Sequence, residues 1–157
     1  MTTANQRVHY HEAVPDAFRA MLALEEYVRS TGIDPTLLHL TKLRASYLNG
    51  CAFCVDMHTK EARAAGETEQ RLYAIPVWRE TPFFTPRERA ALAWTEVITE
   101  IGREGVSDEA YEAARAHFEE AELVRLTVGI IAINGWNRLS IAFRSEVGTY
   151  QAKRRVR

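Results

Sequence analysis

Apolar residues recur along this chain at the three- and four-residue intervals of an α-helix, and no stretch alternates for long in the period-two manner of a strand. The pattern predicts a first helix over 16–30, with Phe18, Met21, Leu22, Leu24 and Val28 as its buried stripe and Thr31-Gly32 ending it. Asp34-Pro35 restarts the chain as an N-cap followed by proline at the first helical position. That second helix carries Leu37, Leu38, Leu40, Leu43, Tyr47 and Leu48 and stops at Asn49-Gly50. A third starts at about Cys51 and finishes before Gly66, a residue suited to the left-handed position after a helix. A short helix over 68–74 is closed by Pro76, and a loop surrounds Thr81-Pro82. Thr85-Pro86 opens a long helix containing Leu92, Trp94, Val97 and Ile101, which 102–105 terminates. Ser107-Asp108-Glu109 caps another helix running to about Phe118. The last, over 120–143, is long and apolar and is expected to be the most buried. The expected class is therefore all-α.

With 157 residues and no repeat, low-complexity tract or long linker, the chain reads as a single domain over 1–157. A hydrophobic fraction of 46% and a charged fraction of 26% are ordinary for a globular protein. The net charge of -1 gives no electrostatic case for nucleic acid or an anionic membrane. The one basic run, Lys153-Arg154-Arg155-Val156-Arg157, reads as a solvated tail. The polar opening residues lack the apolar stretch of a secretion signal, and the longest apolar run, 128–133, is far short of a membrane span. The cytoplasm is the default compartment. There, two cysteines spaced C-x-x-C are redox-active or metal-binding rather than a structural staple.

The chemistry concentrates in Cys51-Ala52-Phe53-Cys54-Val55-Asp56-Met57-His58. Residues three, four and seven apart share a helix face, so both sulfurs and the imidazole project from one side, within roughly 60° of each other. Positions i and i+3 also place Cα atoms about 5 Å apart, a span that a disulfide accepts. Asn49-Gly50 puts the pair in the first turn of its helix, where backbone N–H groups favour a thiolate. His58 is placed to take a thiol proton and return it to a leaving oxygen. Such a set suits thiolate attack on a peroxide O–O bond, formation of a sulfenic acid and its condensation with the second thiol.

The run from Lys42 to Lys60, KLRASYLNGCAFCVDMHTK, resembles the core signature of the AhpD-like alkylhydroperoxidases within the carboxymuconolactone decarboxylase family. Glu61-Ala62-Arg63, Ala65-Gly66, Arg71-Leu72-Tyr73 and the segment from Ile133 to Arg138 extend the likeness over about 15–150. The resemblance implies an AhpD-like helical bundle assembling into homo-oligomers, often trimers or hexamers. It implies a peroxidase acting on peroxide substrate through the C-x-x-C pair, without a cofactor, and recharged by a lipoyl-bearing or thioredoxin-like reductant. It also implies Cys54 as the attacking sulfur and Cys51 as the resolving one, whereas helix electrostatics favour Cys51; the order stays open. The decarboxylases that give the family its name do not depend on such a pair, so the intact dithiol argues against their chemistry.

This chain departs from the family pattern at His39, where the proton relay usually has a glutamate twelve residues before the first cysteine. Tyr47 stands where many relatives carry glutamine. A histidine at 39 can pass a proton near neutrality but supplies no fixed negative charge; the alternative is a helix residue without catalytic duty. A second reading makes His39, Cys51, Cys54 and His58 a Cys₂His₂ zinc site, and a third makes the dithiol a redox sensor with little turnover. Asp56 and Lys60 read as a solvated i,i+4 pair, and Glu61 as an ordinary surface glutamate rather than a partner of His58. Trp136 reads as core or interface, and Asn137 and Arg138 as residues that hold helix ends or subunits.

Overall fold

The computed structural model describes residues 6–152; the opening five residues and the basic run 153–157 lie outside the described residues. The described chain is all helical: α1 (Tyr10–Ala13), α2 (Pro15–Ser30), α3 (Pro35–Asn49), α4 (Ala52–Ala64), α5 (Glu69–Ala74), a 3₁₀ segment (Ile75–Glu80), α6 (Pro86–Thr99), α7 (Asp108–Arg115) and α8 (Glu120–Phe143). None of these helices is long and apolar enough to cross a membrane.

The stop and start signals act where the sequence places them. The Asp34 carboxylate accepts from the Thr36 N–H at 2.8 Å, with Pro35 at the first helical position. Thr85 and Glu88 close a reciprocal capping box at α6. The structure adds to the expected elements at two places. The hydrophobic pattern predicts no helix at α1, a single turn without an apolar stripe. The α-helix ends at Ala74 ahead of Pro76 as expected, but the chain runs on as a 3₁₀ segment to Glu80, whose turn accommodates the fixed proline φ.

At the centre lies α3, which packs against α4, α6 and α8. Its buried residues, Leu37, Leu38, Leu40, Thr41, Lys42, Leu43, Ala45 and Ser46, run around the whole helix, as a helix with neighbours on every side requires. One apolar cluster joins Val28, Leu38, Trp94, Phe118, Leu126 and Ile130, and a second joins Leu40, Leu43, Ile75, Trp78, Phe84 and Leu92. The expected stripe of α2 is only partly buried: Val28 is buried, Phe18, Met21 and Leu24 are half-buried, and Leu22 is exposed. The reason is that α2 packs mainly on α1 and α8, touching α3 only at places such as Glu25–Lys42. It approaches α8 closely at Gly135, where a Cβ would come within 2.9 Å of the Met21 methyl. The long apolar α8 is not buried all round either; Val124 and Ile131 face outward. Trp136 is half-buried and stands edge-on to Phe18 at 5.6 Å.

Candidate functional site

The turn between α3 and α4 sets the position of the first cysteine. Gly50 takes a left-handed φ of 68°, which a side chain would strain. The Gly50 N–H then donates to the Tyr47 carbonyl and the Cys51 N–H to the Ser46 carbonyl, the double closure of a Schellman turn. Cys51 is thereby the residue after one helix and the N-cap of the next, so α4 begins at Ala52 rather than at Cys51. Its sulfur accepts the Cys54 N–H at 3.3 Å.

Cys51 and Cys54 are joined by a disulfide with Cα atoms 5.3 Å apart, the separation that the i,i+3 spacing anticipates. Both are buried. Cys51, but not Cys54, lines a cavity of about 540 Å³, bounded by Gln6, Phe53 and, from the end of α8 and the segment after it, Ser140, Ile141, Arg144 and Val147.

A cross-braced polar network holds this turn. The Asn49 amide donates to the side-chain oxygens of both Asn134 and Asn137, each at 2.9 Å. The Asn137 amide donates to the Ser46 hydroxyl at 3.1 Å, and the Asn134 amide to the Thr99 hydroxyl at 3.0 Å. Thus α3, α6 and α8 are bound together within one turn of Cys51. Arg138, by contrast, donates back to Asn134 on its own helix.

His58 is buried on α4, with Nδ1 3.0 Å from Glu61 Oε2. The other Glu61 oxygen accepts from the Tyr150 hydroxyl at 2.8 Å. Burial pushes the Glu61 carboxyl up, but the bond to His58, the imidazole charge, the Tyr150 hydroxyl and the Lys42 ammonium outweigh it and hold the group at about 2. Burial above all, with Lys42 adding, lowers His58 despite Glu61 and Glu25. Tyr150 is raised to about 12 by burial and by the Glu61 carboxylate. An ionised carboxylate only accepts hydrogen bonds, so Nδ1 of His58 carries the proton and Nε2 keeps its lone pair. Reading Glu61 as a surface residue is therefore corrected: the side chain is 23% exposed and bonded on both oxygens. Its i,i+3 spacing from His58 was the available signal. Tyr150 and the buried ion pair of Glu25 with Lys42 were not singled out. Nothing in local spacing joins a tyrosine eighty-nine residues away to Glu61.

Asp56 and Lys60 pair at 2.8 Å as anticipated, but Lys60 also donates to the backbone carbonyl of Tyr150 at 3.0 Å. His39 is half-buried on α3. It lines a second cavity, of about 300 Å³, with Thr36, Ala62, Glu67, Arg71 and Glu88. The four proposed zinc ligands are not assembled: the sulfurs are bonded to each other and His39 faces that second cavity. Among the described residues, ligand atoms converge instead at the exposed trio His9, His11 and Glu12.

Comparison with known proteins gives the family and the fold. Residues 15–97 match the carboxymuconolactone decarboxylase family. The uncharacterized protein YdfG of Bacillus subtilis is 46% identical over 138 residues, 88% of this chain and 94% of that protein. A crystal structure from Agrobacterium tumefaciens, of a protein of unknown function suggested to be the antioxidant defence protein AhpD, superposes with a TM-score of 0.89. It is 49% identical, over 93% of this chain and all of the other. An uncharacterized peroxidase-related protein of Ralstonia eutropha with an alkylhydroperoxidase AhpD core shares the fold at a TM-score of 0.78, with 20% identity over 88% of this chain and 74% of that one.

Proposed function

We propose, from a chain that belongs to the carboxymuconolactone decarboxylase family, that the protein is a thiol-dependent peroxidase that reduces alkyl or hydrogen peroxides through Cys51 and Cys54. The observation that carries this reading is the closed Cys51–Cys54 disulfide at the start of the helix that also holds the His58–Glu61 pair.

In the dithiol form, His58 Nε2 takes the thiol proton of Cys54, four residues before it. The thiolate attacks the peroxide, the S–O bond forms and the O–O bond breaks. His58 returns its proton to the departing alkoxide, which leaves as alcohol. The Cys51 thiol then condenses with the Cys54 sulfenic acid, forming the disulfide and releasing water. A dithiol reductant of the lipoyl or thioredoxin type supplies two electrons and two protons to reopen it. Cys51 lines the cavity and is the sulfur such a reductant meets. Assigning attack to Cys54 follows the family resemblance and its place one turn before His58. Glu61, at hydrogen-bond distance from His58, is read as a group that orients it. The cytoplasm is the fitting compartment for a dithiol that must be re-reduced. The exposed apolar Leu22, Tyr27, Val124 and Ile131 favour homo-oligomers, trimeric or hexameric in the family pattern.

The test is peroxide consumption with a lipoyl or thioredoxin-type reductant, repeated with Cys54→Ser, Cys51→Ser and His39→Ala. Both serine variants should lose turnover, and a pH–rate profile of His39→Ala that differs from wild type would place His39 in the proton relay. Undiminished turnover in both serine variants would overturn the reading.

A further inference from the structure

The chain does not end its work at α8. Arg144 turns it out of the helix with a left-handed φ of 54°, and the Ser145 N–H caps the Ser140 carbonyl at 3.0 Å. The next residues, Ser145, Glu146 and Val147, form one wall of the Cys51 cavity. The chain then crosses onto α4, where Lys60 donates to the carbonyls of Gly148 at 3.4 Å and Tyr150 at 3.0 Å. Lys60 is itself held by Asp56. The anchored Tyr150 places its hydroxyl 2.8 Å from Glu61 Oε1, while the other oxygen of Glu61 faces His58.

We propose that 145–150 is a strap belonging to the dithiol site, in which Tyr150 is a positioning residue that holds Glu61 against His58 while 145–147 wall the approach to Cys51. The inference rests on the peroxidase reading for its kinetic consequences, but not for its structural ones. A carboxylate with two donors is fixed in orientation and shares its charge between them. A partner behind a functional imidazole sets its tautomer and basicity, and losing such a partner typically costs 10- to 100-fold. The same segment therefore governs two things that a peroxidase must coordinate: access of the reductant to Cys51 and readiness of the base.

The charged groups around His58 are Glu25 from α2, Lys42 from α3, Glu61 on its own helix and, through Glu61, Tyr150. Removing only the Tyr150 hydroxyl leaves the first three in place. Glu61 is then no longer held against His58, the imidazole loses part of the carboxylate that favours its charged form, and it gives up its proton at lower pH.

Two full-length variants test this. In Tyr150→Phe, the imidazole resonances of His58, followed by NMR in the oxidised protein, should titrate at lower pH than in wild type. The acid limb of kcat/KM for hydrogen peroxide should move the same way, with kcat down about tenfold and KM little changed. In Lys60→Met, which frees the strap but keeps the phenol, dithiothreitol should reduce the disulfide several-fold faster. A His58 titration that does not move in Tyr150→Phe overturns the positioning role. An unchanged rate of reduction in Lys60→Met overturns the wall. If wild type consumes no peroxide yet His58 shifts in Tyr150→Phe, the peroxidase reading fails and the strap stands.

Discussion

The backbone N–H of Cys54 points at the sulfur of Cys51 across 3.3 Å. In the reduced protein this donor and the N-terminus of α4 favour negative charge on Cys51, and Cys51 is also the cysteine that lines the cavity. Limiting iodoacetamide at neutral pH, after reduction, should therefore label Cys51 first, with peptide mass spectrometry counting the sites. Label mainly on Cys54 would contradict the assignment of Cys51 as the sulfur met by the reductant.

Glu61 and His58 make stability fall on the acid side in two stages. The His58 imidazole is lowered in the fold, so below its ordinary 6.5 the unfolded chain binds a proton that the folded one refuses. Glu61 is held at about 2 against 4.5, so its contribution is complete above 4.5 and is lost as pH falls toward 2. Thermal midpoints across this range should show a shallower slope below pH 4.5 in Glu61→Gln, and a shallower slope between 6.5 and 4.5 in His58→Asn. Slopes equal to wild type in both variants would remove the pair from the acid response.

Asn137 is fully buried and belongs to both halves of the brace that holds the Cys51 turn. Truncating it to alanine leaves the Asn49 amide with a single acceptor, Asn134, and strips the Ser46 hydroxyl of its donor. At about 1–3 kcal/mol for each buried group left unsatisfied, Asn137→Ala should cost roughly 2–4 kcal/mol in urea unfolding. Arg138→Ala, which loses only bonds to its own helix, should cost under about 1 kcal/mol. Equal losses would mean that the brace carries no special weight.

What could be read from the chain was what local spacing determines. The caps at Asp34 and Thr85, the stop at Gly50, the bounds of α8 and the closure of Cys51 on Cys54 all depend on residues within a few positions of one another. What could not be read depends on which elements meet. The half-exposed stripe of α2 follows from its having few neighbours, and the charge state of Glu61 from a tyrosine beyond the last helix. His39 shows the same limit: the family resemblance implies a relay at this place, and only the fold sets it on the wall of the cavity of Arg71 and Glu88. A one-dimensional offset carries a residue to its helix but does not say which way its side chain looks.

The pair of Glu25 and Lys42 gives the last prediction, because burial reverses the usual expectation for a salt bridge. Their side chains are 11% and 7% exposed, and they join α2 to α3 directly above the His58 environment. Removing one partner leaves the other charge in the core, whereas removing both with apolar residues of similar size removes the desolvation cost as well. Glu25→Leu, which leaves the Lys42 ammonium buried, should lose about 3–5 kcal/mol; Lys42→Met, which leaves Glu25 its Arg29 partner, should lose less, and the double variant should recover most of the larger loss. Lys42→Met should also raise the His58 titration, since the ammonium is one of the groups that lower it. Chemical denaturation of the four proteins of the cycle, with NMR titration of His58, measures both effects. Additive losses in the double variant would show that the two charges stabilise the fold independently, and an unmoved His58 would separate the pair from the site.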